Sequence, residues 1–474
     1  WKKKFAKILP NVKNGNFYNG KAIFVSPKGV VIGSSGVINV GSLGIYTPTQ
    51  QAFDDYVANP RADLSDLKNS NGGKEITING KVFAAHDIEL IGGQTTVSKD
   101  AGMFAGIKES QMSSMSTEAQ ALNLFNQLVN TDNMVAGNVF AGNGGNIYIK
   151  SEQLADKAGI NIAGKVKNFS KGNITMENSG VNGIKISGLT SNKEGKTKLY
   201  NTWGDIDISG TLTNFGDAEI INTPNEQTVT FTIDGVQYTY TTDINSEINV
   251  SGNVNTKSNT AYGNSLVMTN NGSKGINVTS TGNIGTEGAI ITNNGNGGTN
   301  IDGSIVNTFS ALADIFEKDI IVNNTAGGVN VNNGGEIVSK AGDIYINNTG
   351  LNGVNIDSEG RIYGNWDTNI NNESKGGVNI KGHVTNGINV NIKSKDGNVI
   401  IGDNTANDKY VTANKNINIE TNNASILNYG VNKTLLVAGK DLNMNATDGT
   451  IGLPVGDNAC VGEGCTGISP KANN

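Results

Sequence analysis

Few side chains in this 474-residue chain have the types and spacing that metal binding would need. His86 and His383 are its only histidines, and they stand far apart in the sequence, so we do not expect them to share a metal ion. The calcium-binding nonapeptide Gly-Gly-x-Gly-x-Asp-x-U-x is absent. Residues 296–302 (Asn-Gly-Gly-Thr-Asn-Ile-Asp) come nearest to it but lack its ordered carboxylates. The sequence therefore predicts no metal site and no cofactor.

Residues that could hydrolyse a glycoside are also scattered. This reaction needs two carboxylates that face one bond, whereas Asp54-Asp55 lies far from Asn130-Thr131-Asp132, at the end of a predicted helix. Arg361 stands largely alone, which disfavours a lyase. The glycine-rich segment 142–146 lacks the Lys and Ser/Thr of a phosphate-binding loop. These observations favour a protein that is not an enzyme.

A repeated sequence pattern in the second half of the chain indicates the fold that positions the side chains considered above. Five Asn-Asn pairs, which begin at residues 270, 293, 323, 347 and 371, each precede a run that starts with Gly and has Asn as its third residue. The runs begin at residues 275, 298, 328, 353 and 377, so their spacings are 23, 30, 25 and 24 residues. A period of about 20–50 residues is typical of solenoids.

Short alternating strands fill each repeat and extend upstream. Runs that start at Gly159, Gly183, Asp205 and Glu247 carry apolar residues at alternate positions, as half-buried strands do. The 63 glycines suit tight corners, and only seven prolines interrupt backbone hydrogen bonding. Because no repeat contains a helix, the sequence predicts an all-β fold. This is a right-handed parallel β-helix with two or three strands in each repeat of about 24 residues.

Three segments break this pattern and are predicted to be insertions. Residues 228–241 contain Asp234-Gly235 between two alternating runs, which predicts a β-hairpin. Residues 113–129 are predicted to be a helix, with capping-box spacing at Thr117 and Gln120. Residues 311–317 are predicted to be a shorter helical insert. The apolar face of the longer helix is predicted to comprise Leu122, Phe125, Leu128 and Val129.

The repeated asparagines have two interpretations. In the first, asparagines at equivalent corners stack into ladders, in which each amide bonds to the next repeat. In the second, exposed asparagines accept glycans, because Asn-x-Ser/Thr is the acceptor sequence. The candidates for glycosylation are Asn323, Asn347, Asn432 and Asn445.

Composition excludes several classes of partner. Charged residues make up 16% of the chain and the formal net charge is −6, which argues against nucleic acid or an anionic membrane as the main partner. No apolar stretch approaches the length of a transmembrane helix. No signal peptide is visible and the first residue is Trp1, so we expect a mature or trimmed fragment. Cysteine is absent before Cys460, as suits a secreted protein.

The N-terminal region carries more specific motifs. The strand and turn at residues 22–33 include Ser26-Pro27-Lys28-Gly29, and Gly36-Val37-Ile38-Asn39-Val40 follows. This sequence resembles the secretion domain of two-partner-secretion exoproteins, which are the filamentous haemagglutinins and high-molecular-weight adhesins of Gram-negative bacteria. In that family the turn reads Asn-Pro-Asn-Gly. The resemblance covers residues 17–150 and includes 51–60, 76–82 and 88–93.

The resemblance implies a route and a layout. Residues 1–150 would form a secretion-domain-like β-helix that a dedicated outer-membrane transporter recognises, with Ser26, Pro27, Lys28 and Gly29 as candidate recognition residues. Residues 151–455 would form the β-helical shaft, and 456–474 a C-terminal tail. In that tail Cys460 and Cys465 are predicted to form a disulfide-closed loop, which in part of the family tethers the adhesin to its transporter.

The leading functional hypothesis is a secreted or surface-displayed adhesin on a Gram-negative cell. Its partners would be the transporter and a receptor or glycan on a host or neighbouring cell. The residues at 113–129 and 228–241 would be the main recognition surfaces. A polysaccharide-active β-helix enzyme, or a scaffold for a removed C-terminal toxin domain, remains the alternative.

Overall fold

The computed structural model describes most of the chain. The described residues are 12–13, 16–17 and 19–461, apart from 61–62, 71, 114, 116, 132–138, 153–157, 225–227, 234–235, 242–243, 258–264, 309–317, 403–409, 429–434 and 453–458. The predicted helical insert at 311–317 therefore lies outside the described residues, as does Cys465. None of the helices in the described part of the chain combines the length and apolarity needed to cross a bilayer.

The chain is an all-β parallel β-helix, as predicted, and divides into two compact units. The first unit comprises Trp1–Ser246 with Gly252–Asn259, and the second comprises Glu247–Ser251 with Thr260–Asn474. Within each unit the strands form three parallel sheets, termed I, II and III, and the chain visits them in that order. One circuit through the three sheets is termed a coil.

The described strands of the first unit are short and similar in length within each sheet. Sheet I contains Lys21–Val25, Ser42–Tyr46, Ile88–Gly92, Ile147–Ser151, Ile174–Asn178, Thr197–Asn201 and Ala218–Asn222. Sheet II contains Val30–Ile32, Glu75–Ile78, Gln94–Val97, Gly159–Ile162, Ile184–Ile186 and Ile206–Ile208. Sheet III contains Val37–Val40, Lys81–Ala84, Gly102–Ala105, Lys165–Asn168, Leu189–Asn192, Thr211–Asn214 and Asn253–Thr256.

The described strands of the second unit follow the same plan. Sheet I contains Leu266–Asn270, Ala289–Asn293, Ile320–Asn324, Ile344–Asn348, Thr368–Asn372, Val390–Ser394, Asn416–Thr421 and Asp441–Ala446. Sheet II contains Glu247–Val250, Gly275–Val278, Thr299–Ile301, Gly328–Val331, Gly353–Ile356, Val378–Ile380, Val399–Ile401, Ile426–Asn428 and Ile451–Gly452. Sheet III contains Asn283–Thr286, Ser304–Asn307, Glu336–Ser339, Arg361–Gly364, His383–Asn386, Val411–Ala413, Leu436–Ala438 and Ala459–Val461.

The interior of each unit is built from columns of branched apolar side chains. Ile160, Ile184 and Ile206 are partners in register on adjacent strands of sheet II, and all three are fully buried. Alternate residues point outward because successive side chains of a strand face opposite sides. Burial of each such side chain stabilises the fold by about 1.5–3 kcal/mol. The period-2 pattern thus builds the core of each unit coil by coil.

The packing does not mark the predicted boundary at residue 150. The strand Ile147–Ser151 contains this position and pairs with Ile88–Gly92 on one side and Ile174–Asn178 on the other. Sheets II and III also continue across it, from Gln94–Val97 to Gly159–Ile162 and from Gly102–Ala105 to Lys165–Asn168. A secretion domain that ends there would therefore share its core with the coils that follow.

Four helices in the described residues lie outside the coils. The first two, α1 (Gln50–Ala58) and α2 (Ser65–Asn69), are inserted between a sheet I strand and the sheet II strand that follows it. Neither was predicted as a helix. The next two, α3 (Glu109–Ser113) and α4 (Glu118–Asn130), lie between sheets III and I. Thr49 caps α1 by accepting a hydrogen bond from the Ala52 amide, a signal that was present in the sequence.

The single helix predicted at 113–129 is therefore wrong in its bounds. The predicted capping box is confirmed, because Thr117 Oγ1 accepts from the Gln120 amide while Gln120 Oε1 accepts from the Thr117 amide. This capping box marks the start of α4, which is a separate helix from α3. The predicted apolar face is rotated, because Leu122 is 48% exposed. The buried residues of α4 are Ala121, Leu124 and Leu128, while Phe125 and Val129 are partly buried.

The hairpin predicted at 228–241 is confirmed in its two strands. Thr228–Ile233 pairs antiparallel with Val236–Thr241, and the two form a sheet of their own. Asp234 and Gly235, the predicted turn, lie outside the described residues. The strands Val12–Lys13 and Asn16–Phe17 form a second small antiparallel pair.

Candidate binding surfaces

A buried ladder of asparagine amides stacks at the end of the sheet I strands, as the first interpretation predicted. In the first unit, Asn178 Nδ2 donates to Asn201 Oδ1 at 2.7 Å, and Asn201 Nδ2 donates to Asn222 Oδ1 at 3.0 Å. Asn178 also closes its own corner, because Nδ2 donates to the Gly180 carbonyl and Oδ1 accepts from the Gly180 amide. The ladder of the second unit runs through Asn270, Asn293, Asn324, Asn348 and Asn372.

The register of this ladder shows that the Asn pairs of the sequence are not equivalent. Asn270 and Asn293 are the first members of their pairs, whereas Asn324, Asn348 and Asn372 are the second members. The partner of Asn324 in its pair, Asn323, therefore points outward from sheet I. The change follows from strand register and could not be read from the pairs alone.

Further ladders lie on outward faces of the second unit. On sheet II, Asn300 donates to Asn277 at 2.9 Å, and the third residue of every later Gly-x-Asn run continues the series. On sheet I, Asn347 donates to Asn323 at 3.0 Å and Asn371 donates to Asn347 at 2.9 Å. The side-chain amides are thus mainly engaged with each other, which stabilises the stack.

The outward ladder of sheet I includes two of the four glycosylation candidates. Asn323 and Asn347 are half-buried members of an outer ladder, and the Nδ2 atom of Asn347, which would carry a glycan, already donates to Asn323. Asn445 is exposed on sheet I and has more room for a sugar. Asn432 lies outside the described residues. Glycosylation at these positions stays a prediction.

The Ser26-Pro27-Lys28-Gly29 segment forms the corner between sheets I and II in the first coil. The Gly29 amide donates to the Ser26 carbonyl at 3.2 Å, which closes a tight turn. Gly29 has φ +93°, and a Cβ there would lie 2.8 Å from the Glu75 carbonyl oxygen. Pro27 is buried and Lys28 is exposed. Of the four candidate recognition residues, Lys28 is therefore the one that a partner can reach most fully.

The helix α4 packs on the outward face of sheet III instead of standing free. Phe83 and Phe104 point outward from adjacent strands, with ring centroids 5.7 Å apart, and both are fully buried. Phe125 of α4 meets Phe104 edge to face at 5.6 Å. Because the apolar face of α4 is occupied in this way, only its opposite face remains for recognition.

Lys167, on sheet III, binds the C-terminal end of α4. Its side chain is 2% exposed, and Nζ donates to the carbonyl oxygens of Leu128 and Thr131, both at 2.7 Å. These are carbonyls at the C-terminal end of α4, where a cation is favoured. The ammonium also lies 5.2 Å from the centre of the Phe169 ring. Nothing in the local sequence of α4 pointed to this contact.

Tyrosines on the outward face of sheet I share one arrangement. Tyr46 donates its hydroxyl hydrogen to Glu89 at 2.5 Å, and Tyr148 donates to Glu177 at 2.7 Å in the same unit. Lys68 of α2 also bonds Glu89, at 2.9 Å. Burial, followed by the hydrogen bond and the charge of Glu89, raises the pKa of Tyr46 well above its ordinary value. Sequence analysis did not single out these tyrosines.

The residues considered for chemistry remain dispersed. His86 belongs to the first unit and His383 begins a sheet III strand of the second. Asp54 and Asp55 lie exposed on α1, and each carboxylate accepts from a glutamine one helical turn earlier, at 2.8 Å. Among the described residues, no three His, Cys, Asp or Glu side chains gather closely enough to hold a metal ion.

The other candidate segments have structural roles in the coils and in α4. Residues 142–146 form a corner that a strand follows, as predicted. Asn130 ends α4 and Thr131 is its C-cap, while Asp132 lies outside the described residues. Asp302 accepts from the Asn332 amide at 2.8 Å, so the segment at 296–302 also joins neighbouring coils. Cys460 lies in the strand Ala459–Val461, whose pairing partner is Leu436–Ala438. The disulfide stays a prediction.

The sequence matches no protein-family model, no curated protein and no solved structure.

Proposed function

We propose that this protein is a secreted or surface-displayed adhesin, exported by a dedicated outer-membrane transporter of a Gram-negative bacterium. It acts by binding a receptor or glycan on a host or neighbouring cell, and not by catalysis. The resemblance of residues 22–43 to two-partner-secretion exoproteins supports the export route. The absence of a metal-binding cluster in the described residues agrees with a binding role.

The observation that carries the binding role is the hairpin at 228–241. Its two strands pair only with each other in the described structure, so it contributes no strand to the coil sheets. Thr230, Gln237 and Thr239 are exposed. The two threonines face each other across the hairpin with their Oγ1 atoms 3.2 Å apart. The exposed polar side chains of such a separate two-stranded sheet offer a contact surface.

A cell-attachment assay tests the binding role. In the test variant, residues 228–241 are replaced by a short Gly-Ser linker, and we expect most attachment to be lost while the melting temperature stays unchanged. A Gly-Ser replacement of the exposed corner residues Asn352 and Leu351 is the matched control. Failure of the intact protein to attach to any tested cell surface would sink the adhesin proposal.

Export is tested separately at the exposed lysine of the first corner. Lys28→Ala is expected to lower the amount of protein secreted by cells that also express the transporter, without a change in the stability of the purified chain. Lys99→Ala, which alters another exposed lysine at a coil corner of the same unit, is the control. Equal secretion of both variants and the parent would remove Lys28 from the recognition surface.

A further inference from the structure

An apolar stripe runs along the outward face of sheet I in the second unit. Val267, Ile290, Ile321 and Tyr345 are partners in register on four successive strands. All four side chains are half-buried, so part of each is open to solvent. Successive members are about 4.8 Å apart along the coil axis. Outward positions elsewhere on this sheet, such as Asn391 and Asn418, are polar.

Polar groups of different kinds flank this apolar stripe. On one side, two residues further along each strand, stands a column of hydroxyl and amide groups comprising Thr269, Thr292, Asn323 and Asn347. On the other side, Asp319 and Asp343 directly precede the last two strands of the stripe. One carboxylate oxygen of Asp319 accepts the Asp343 amide at 2.8 Å. The stripe thus has hydroxyl and amide groups along one edge and, beside Ile321 and Tyr345, carboxylates along the other.

Tyr345 provides a flat aromatic surface at the end of the stripe. Its hydroxyl donates to Asp343 Oδ2 at 2.8 Å. Asp343 lies directly before the strand Ile344–Asn348 and two residues before Tyr345, within reach of its hydroxyl. This hydrogen bond holds the hydroxyl end of the ring toward Asp343, and part of the side chain stays open to solvent because Tyr345 is half-buried.

We propose that this apolar stripe binds an extended neutral glycan, with the pyranose rings stacked on Tyr345 and the aliphatic side chains. The inference rests on the proposed function and names the ligand class for one of its surfaces. A sugar ring offers apolar C–H faces to an aromatic platform and hydroxyl groups at its edges. Besides their ladder bonds, Asn323 and Asn347 on one side keep amide hydrogens and lone pairs that can bond those hydroxyls, and the aspartates lie on the other.

The charges along the stripe select against anionic glycans. Besides burial and the hydrogen bond to Asp343, the carboxylates of Asp343, Asp319 and Asp367 all raise the pKa of Tyr345. The negative field that they produce at the ring would repel the uronate and sulfate groups of acidic polysaccharides. A neutral hydroxyl group, by contrast, can donate a hydrogen bond to a lone pair of these carboxylates.

Titration calorimetry on the purified full chain, without cells or transporter, tests this proposal. Chitohexaose and cellohexaose are the neutral probes, and a hyaluronan hexasaccharide and a heparin hexasaccharide are the anionic ones. We expect saturable binding of at least one neutral probe and none of the anionic probes. Tyr345→Ala is expected to weaken binding about tenfold, the value of roughly one aromatic stacking contact.

Two variants keep the result interpretable. Tyr345→Phe retains the ring and is expected to bind more tightly than Tyr345→Ala, which separates stacking from a loss of fold. Tyr363→Ala removes a 44% exposed tyrosine from sheet III of the same unit and is expected to bind like the parent. Absence of neutral-glycan binding, preference for an anionic probe, or unchanged affinity in Tyr345→Ala would each overturn the proposal. Because no cells are present, each result is independent of the attachment assay.

Discussion

The ammonium group of Lys167 lies 2.7 Å from the carbonyl oxygen of Leu128, at the C-terminal end of a helix that is distant in sequence. Lys167 projects outward from sheet III and would normally be solvated, but α4 covers it. Its charge is balanced by helix carbonyls, including that of Thr131, so the contact joins the insertion to the coil.

Replacement of Lys167 by methionine should therefore loosen α4. The variant keeps the aliphatic stem but leaves two carbonyls without this donor, so we expect a loss of about 2 kcal/mol. Limited proteolysis between residues 109 and 139, together with urea denaturation, measures the effect. Lys185→Met alters an exposed lysine of the same unit and should change neither. Equal protease resistance of the two variants would contradict a fastening role for Lys167.

Adjacent asparagines should differ sharply in their contribution to stability. Asn348 is buried and bonds Asn324, Asn372 and both backbone groups of Gly350. Asn348→Ala leaves several of these groups unsatisfied, and we expect a loss of about 2–4 kcal/mol. Asn347→Ala, on the solvent face of the same strand, should cost about 0.5–1 kcal/mol. Urea denaturation and hydrogen exchange at the Gly350 amide provide the measurements. Similar losses in both variants would show that the buried ladder has no special weight.

Two glycines near the first corner offer a test of backbone strain. Gly29→Ala places a side chain at φ +93° and against the Glu75 carbonyl, so we expect a loss of about 1–3 kcal/mol. Gly33→Ala meets no atom within 4 Å and should be nearly neutral. Thermal denaturation of both purified variants makes the comparison. A stable Gly29→Ala protein would mean that this corner can rearrange.

Alkaline pH should destabilise the first unit through Tyr46. The folded protein holds the Tyr46 proton because its pKa is raised by burial, then by the hydrogen bond and charge of Glu89. The unfolded chain releases that proton near pH 10. Above about pH 10 the unfolded state therefore binds fewer protons than the folded state, and stability falls as pH rises.

The corresponding variant is Tyr46→Phe, which cannot ionise. Its unfolding free energy, measured by urea denaturation from pH 8 to 11, should decline less steeply above pH 10 than that of the parent. Tyr363→Phe, which alters an exposed tyrosine, serves as the control. Identical slopes for the parent and Tyr46→Phe would show that the Tyr46 proton is not linked to folding.

The sequence alone determined the class of fold, because its signals are local and repeated. Alternating residues such as Ile160 and Ile162 specify a half-buried strand wherever they occur, and the near-constant spacing of the runs requires the strands to stack. The Asp234-Gly235 signal likewise identified the two hairpin strands, and Thr117 with Gln120 marked the start of α4.

Only the tertiary structure decided which side chains meet across coils and insertions. Strand register placed Asn324 inside and Asn323 outside, although the two are neighbours of one type. The phase of α4 was set by the Phe83 and Phe104 surface on which it packs, so Leu122 faces solvent. The stripe at Tyr345 arises in the same way, since its members come from four separate repeats. Such contacts depend on distances between segments far apart in the chain, which local propensity and periodicity do not encode.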